Sequence, residues 1–216
     1  MPSNLHIRFI LDLSGSMNYA ENGFSRLAYA KNLLASLAYL GYLQGDGLSY
    51  YTLSEGKIEQ KVSPTPKSFQ RILFYLEAEK ASGSWPLEAF PDSLSQGRDR
   101  ELIIWVSDFL QKETEWENLV ANFRHPRKEL MLIQLLGEQE LDLKLEGNFV
   151  FRDLESGEEF VQDGRSVQAE FNRKFKAYLD QLSQSFQLPK VQLLRISMKT
   201  PLSEVVRSIL NRKNLA

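Results

Sequence analysis

Apolar positions along the chain fall into two kinds of block: short continuous runs, and longer stretches with helical spacing. Leu5–Asp12 alternates weakly, becomes continuously apolar through Phe9, Ile10 and Leu11, and ends in an acid. A strand buried on both faces of a parallel sheet has this pattern. Glu101–Asp108 repeats it through Leu102, Ile103, Ile104, Trp105 and Val106, which predicts a second central strand. Between them, Phe24–Leu43 places Leu27, Ala30, Leu34 and Leu37 at helical spacing, broadened by Leu33 and Leu40, with Gly41 and Gly45 as the stop. Gly47–Leu53 and Lys57–Val62, joined by Ser54-Glu55-Gly56, predict a strand pair whose second member is an antiparallel edge. Thr65 as N-cap and Pro66 as first helical residue open a predicted helix to Glu79, with Ile72, Leu73 and Leu76 facing inward.

The second half continues the alternation. Lys80–Arg100 is loop-rich with one short helix after Pro86, Glu113–Phe123 reads as a helix with acids in its first turn, and Glu129–Leu136 as a buried strand. Asn148–Leu154 and Glu158–Gln162 flank Glu155-Ser156-Gly157 as a hairpin, an insertion spanning residues 147–162. A helix over Val167–Phe186 carries Phe171, Phe175, Tyr178, Leu179 and Leu182, its aromatics reading as core in preference to a partner groove, and Val191–Ile196 and Leu202–Leu210 supply a last strand and helix. Repeated strand-helix alternation implies right-handed crossovers. The expected architecture is one three-layer α/β/α domain over residues 1–216, with a doubly wound, mostly parallel sheet.

Composition narrows the function. At 216 residues and 43% hydrophobic, one domain with a sizeable core is feasible and two would be cramped. A formal charge of −2 gives no electrostatic reason to expect nucleic acid or a polybasic membrane contact. With no cysteine there is no disulfide framework, thiol nucleophile or Cys-based zinc site. No signal peptide is legible and no apolar run approaches the roughly 20 residues that span a bilayer. The expectation is a cytoplasmic chain without a membrane segment.

The chemistry concentrates where the first strand ends. In an extended segment alternate side chains share a face, so Asp12, Ser14 and Ser16 converge on one point. One carboxylate and two hydroxyls make a poor nucleophile-base set, but a good partial shell for Mg2+ or Mn2+, which want about six oxygens. Ligands of doubly wound sheets bind beyond the carboxyl ends of strands where the strand order reverses, so Asp108 is expected to face Asp12. The plainer reading makes Asp12 and Ser14 turn and capping residues. His6 and His125 lack a second His at ligand spacing and read as structural or solvated. No phosphate-binding Gly-x-x-x-x-Gly-Lys loop, no Gly-x-Ser-x-Gly elbow and no second acid at Ser14 are present, so nucleotide hydrolysis, acyl transfer and aspartyl phosphotransfer lack their parts.

Asp12-x-Ser14-x-Ser16 resembles the first loop of the metal-ion-dependent adhesion site of von Willebrand factor A domains. Together with Val106-Ser107-Asp108-Phe109, with Phe151-Arg152-Asp153-Leu154-Glu155-Ser156-Gly157-Glu158, and with Thr200-Pro201-Leu202 after the last strand, it resembles the bacterial DUF58 proteins over nearly the whole chain. These are von Willebrand A-like proteins often encoded beside MoxR-type AAA+ ATPases. The resemblance implies Asp12, Ser14, Ser16 and Asp108 as ligands of Mg2+ or Mn2+, completed by a threonine of a middle loop. This sequence has Ser82-Gly83-Ser84-Trp85-Pro86-Leu87 there. Aligned on Leu87, the threonine position holds Trp85, which offers no oxygen; Ser84 substitutes only if the loop is displaced by a residue. A degenerate, metal-free scaffold therefore stays open.

The implied function is a non-enzymatic protein-interaction module with a MoxR-type ATPase as partner, in assembly or maturation of other proteins; a metal-dependent phosphoryl-transfer or hydrolytic enzyme using the same cleft is the alternative. Family members generally carry a further segment ahead of the first strand, so a domain excised from a longer chain is expected. Met17, Trp85, Phe109 and Leu110 are expected to ring the acids as partner contacts, with Trp85 either an anchor or filling the space of the missing threonine.

Overall fold

The computed structural model describes residues 5–83, 100–110, 127–144, 148–152 and 159–213. In chain order these form β1 (Leu5–Asp12), a 3₁₀ turn (Gly15–Asn18), the two-residue strands β2 (Ala20–Glu21) and β3 (Phe24–Ser25), α1 (Arg26–Gln44), β4 (Gly47–Ser54), β5 (Lys57–Val62) and α2 (Ser68–Ala78). Then come β6 (Arg100–Ser107), β7 (Lys128–Leu136), α3 (Glu138–Leu141), β8 (Asn148–Arg152), β9 (Glu159–Asp163), α4 (Gly164–Ser185), β10 (Val191–Ser197) and α5 (Leu202–Lys213). No helix among the described residues is long and apolar enough to cross a membrane.

The main sheet has the order β10-β7-β6-β1-β4-β5. All neighbours run parallel except β4 and β5, which pair antiparallel and put β5 at the edge, as expected. From β1 the chain builds outward to β4 and β5, then returns to the other side of β1 with β6. The reversal point therefore lies between β1 and β6, where ligands of such sheets bind.

Alternation in the central strands sorts side chains onto two apolar layers. Phe9 and Leu11 of β1 and Ile104 and Val106 of β6 join Leu33, Leu34 and Leu37 of α1, Ile72 of α2 and Ile209 of α5. Ile10, Ile103 and Trp105 point the other way, to Leu182 of α4 and Phe186 just beyond it. The result is a three-layer α/β/α fold. Each fully buried aliphatic of this kind contributes about 1.5–3 kcal/mol.

Two expectations shift for local reasons. α1 begins after Ser25, whose side chain accepts from Ala28 N at 3.1 Å, and runs through Gly41 to end at Gly45. Gly41 does not stop the helix: a Cβ there would lie 2.9 Å from Leu48 Cδ2 and 3.0 Å from Ile7 Cδ1, so glycine lets α1 approach the sheet. α2 starts at Ser68 rather than at Pro66 with a Thr65 cap. Its first hydroxyl folds the preceding segment into a turn, donating to Ser63 O at 2.9 Å and accepting from Thr65 N at 2.6 Å. The short helix after Pro86, the helix Glu113–Phe123, His125 and the hairpin tip around Glu155-Ser156-Gly157 lie outside the described residues.

Candidate functional site

The carboxyl ends of β1 and β6 deliver Asp12 and Asp108 to one edge. Leu11 is in register with Val106, so Asp12 comes level with Ser107, and the Ser107 hydroxyl donates to Asp12 Oδ2 at 2.6 Å. The other oxygen, Oδ1, accepts from Ser14 N at 2.8 Å. Asp12 is fully buried. Burial, and next the charge of Asp108, push its carboxyl up from the ordinary 3.8 to about 7, against the Ser107 and Ser14 hydrogen bonds that favour the anion.

The first loop turns immediately after Asp12. Leu13 N bonds to Leu53 O at 2.8 Å, and the Gly15–Asn18 turn brings Ser14 Oγ within 3.0 Å of Ser16 Oγ. The start of the middle loop docks alongside: Ser82 N donates to Leu13 O at 2.7 Å, Gly15 N to Gly83 O at 2.9 Å, and Asn18 Nδ2 to Ala81 O at 3.0 Å. Ser84 and Trp85 lie beyond the described residues.

Asp108 is equally buried, but its environment differs from the one expected. Its Oδ2 pairs with Arg26 Nη1 at 2.7 Å, its Oδ1 accepts from Leu110 N at 3.2 Å, and its carbonyl accepts from Gln134 Nε2 at 2.8 Å. Arg26 is 1% exposed, donates also to Ser16 O at 2.9 Å through Nη1, and pairs with Glu140 through Nη2. The Tyr19 ring lies 4.8 Å from its guanidinium carbon. Glu140 is held in turn by Gly137 N at 2.7 Å. Gly137 has no room for a side chain, since a Cβ would sit 2.4 Å from Tyr19 Cε1.

Two of the expected rim residues are core instead. Met17 is 0% exposed and packs with the α1 layer. Phe109 is also 0% exposed, with its ring 6.3 Å from both Trp105 and Phe186. Its backbone sits at φ 50, a left-handed value that a bulky residue adopts only when its surroundings impose it. Here Ser107 Oγ accepts from Phe109 N at 3.0 Å, and the Tyr178 hydroxyl donates to its carbonyl. Neither side chain offers surface to a partner; of this group, Leu110 is 36% exposed.

Sequence reasoning missed Arg26, Glu140 and Ser107. Arg26 did carry a signal, because it stands in the first turn of a helix, where the macrodipole disfavours a cation. A cation kept there has acids to hold it. Glu140, 114 residues away, gave none.

The donor chemistry of the first loop fits a small hard cation. Each Asp12 oxygen keeps a lone pair besides its hydrogen bond. The 3.0 Å between Ser14 Oγ and Ser16 Oγ matches adjacent ligands of an octahedral shell of about 2.1 Å radius, which lie about 3 Å apart, and serves equally as a hydrogen bond. Asp108, engaged by Arg26, does not fit in the same way. Among the described residues no group of three or more His, Cys, Asp or Glu side chains could hold a metal, so a cation here would depend on the serine hydroxyls.

Comparison with known proteins agrees with this architecture. A family model described as "Protein of unknown function DUF58" matches residues 3–180. A structure described as conserved hypothetical protein BatB from Bacteroides thetaiotaomicron superposes with a TM-score of 0.61 at 15% identity, covering 98% of this chain and 100% of that one. An aerotolerance-related membrane protein from Bacteroides fragilis NCTC 9343 gives 0.60 at 16% identity, with the same coverages. The SpRpn10 VWA domain gives 0.56 at 11%, covering 94% of each chain. At these identities the likeness shows the fold, which is that of von Willebrand A domains. Comparison with curated proteins gives no significant match.

Proposed function

Since the chain belongs to the DUF58 family, we propose that it is a non-enzymatic protein-interaction module whose contact surface is the edge where β1 and β6 end. The von Willebrand A-like fold suggests such a module. The observation that carries the reading is the convergence of Asp12, Ser14, Ser16 and Asp108 on that edge, at the reversal point of the sheet. Asp12, Ser14 and Ser16 would hold Mg2+ or Mn2+. A divalent cation with few charged protein ligands stays electrophilic and supplies an open position for a partner carboxylate.

The partner assigned is a MoxR-type AAA+ ATPase, from the family's gene neighbourhoods, and the role is assembly or maturation of other proteins. Dependence on such an ATPase places the module in the cytoplasm, where ATP is. Asp108 and Glu140 are held by Arg26, so among the described acids around Arg26 the phosphoryl-transfer or hydrolytic alternative would have to rest on Asp12 as its base.

The test is capture of a MoxR-type ATPase on the immobilised chain. Retention in Mg2+, release by EDTA and loss in Asp12→Ala are the expected results. Retention unaffected by chelator and by Asp12→Ala would contradict the assignment of this edge.

A further inference from the structure

We infer that Arg26 sets the cation affinity of this edge, its guanidinium holding the Asp108 carboxylate that a divalent ion would otherwise draw on. The inference rests on the cation reading above.

Three observations carry it. First, the guanidinium is built in: Arg26 and Asp108 are both buried, and Nη1 bridges Asp108 Oδ2 at 2.7 Å and Ser16 O at 2.9 Å. Ser16 is the residue whose hydroxyl belongs to the candidate shell, so the fixed positive charge stands at the margin of that shell and repels an incoming divalent ion. Second, the anchorage is two-sided. Nη2 pairs with Glu140, which Gly137 N fixes at 2.7 Å, while the Tyr19 ring covers one face of the cation. A planar fork can hold two acids at once; a lysine ammonium, a single point charge, would serve them less well. Third, the arginine stands at the start of α1, where the helix dipole opposes it, so its position depends on those two acids.

A cation ligated through Asp108 therefore requires the guanidinium to leave Oδ2. Glu140 is the outer anchor and the less buried of the two acids, its side chain 16% exposed. It is the acid onto which Arg26 can withdraw. The same withdrawal would loosen Ser16 O and free the first loop to settle around the ion.

The experiment is Mn2+ titration followed by electron paramagnetic resonance on the full chain, comparing wild type with Arg26→Gln, Arg26→Lys and Glu140→Gln, with circular dichroism melts confirming that each is folded. Arg26→Gln is expected to tighten Mn2+ binding about 10-fold, in the range of ordinary coupling between sites. Glu140→Gln, which keeps an oxygen to accept from Gly137 N, should change affinity in the opposite direction, weakening it about 3-fold by removing the acid that receives the displaced guanidinium. Arg26→Lys should fall between wild type and Arg26→Gln.

Equal affinity in wild type, Arg26→Gln and Glu140→Gln, with binding still lost in Asp12→Ala, would overturn the role of Arg26 and leave the cation reading standing. No Mn2+ binding by any folded variant would overturn both. Should Arg26→Gln not fold, unchanged affinity in folded Glu140→Gln and Arg26→Lys overturns the inference by itself.

Discussion

β1 and β6 bury charge at both of their ends, and the two ends are built on opposite plans. At the start of the strands one acid lies between two cations: Glu101 pairs with Arg8 Nη2 at 2.5 Å and with Lys128 Nζ at 3.5 Å, and Arg8 Nη1 also donates to Tyr51 Oη at 3.3 Å. At the finish one cation lies between two acids, Arg26 between Asp108 and Glu140, with Asp12 close by. The first group projects from paired strands; Arg8 is in register with Ser49 and Ile103, and Glu101 with His6 and Lys128. The sheet ladder fixes the backbone of each member. The second group is supplied by the last residue of β1, the residue following β6, the first turn of α1 and the short helix α3 after β7. Its atoms are held by ion pairs and by backbone N–H and C=O groups of the adjoining turns. The same physics thus makes one end a clamp borne on paired strands, while the other, assembled from strand ends and helices, is the end proposed to take a ligand.

The comparison is broken most severely by removing the central acid of the clamp. Glu101→Ala leaves Arg8 and Lys128 buried without the acid they share, and unfolding in urea should show a loss of about 3–5 kcal/mol, while Mn2+ affinity stays at the wild-type value. A loss below about 1 kcal/mol would mean that this end is no clamp.

A smaller effect sharpens the difference through pH. Asp12 has its carboxyl raised from 3.8 to about 7 in the folded chain, chiefly by burial. Between those values the folded state binds the proton that the unfolded state has lost, so the stabilisation is complete below pH 3.8, declines as pH rises, and is gone above about 7. Asp12→Asn retains an oxygen to accept from Ser14 N and removes the titration. The variant should match wild type near pH 4 and exceed it in stability near pH 7, read as the difference between their denaturation midpoints. Parallel curves across that range would show that Asp12 does not titrate there.

The strands were the most legible part of the sequence, because a strand buried on both faces leaves an uninterrupted apolar run, and β1 and β6 both end where that run meets Asp12 or Asp108. The site was legible in its acids and hydroxyls, which follow those strands directly. Its cation was not, because Arg26 meets Asp108 and Glu140 only through the return of the chain to both sides of β1. Met17 and Phe109 were misplaced for a related reason. An apolar residue beside an acid in a loop looks like the rim of a site, and only the packing of Phe109 against Trp105 and Phe186, and of Met17 under α1, draws them inward. The start of α2 depended on one hydroxyl, Ser68, that local propensity does not single out.

The cation reading requires the edge where β1 and β6 end to take a divalent ion through Asp12. Isothermal titration of the purified chain with Mn2+, beside Asp12→Ala, tests it directly. The expected result is a dissociation constant of about 0.1 to 1 mM, that of a sparse carboxylate site, and no heat from the folded Asp12→Ala variant. Equal heats from both proteins, or none from wild type at high millimolar Mn2+, would contradict it.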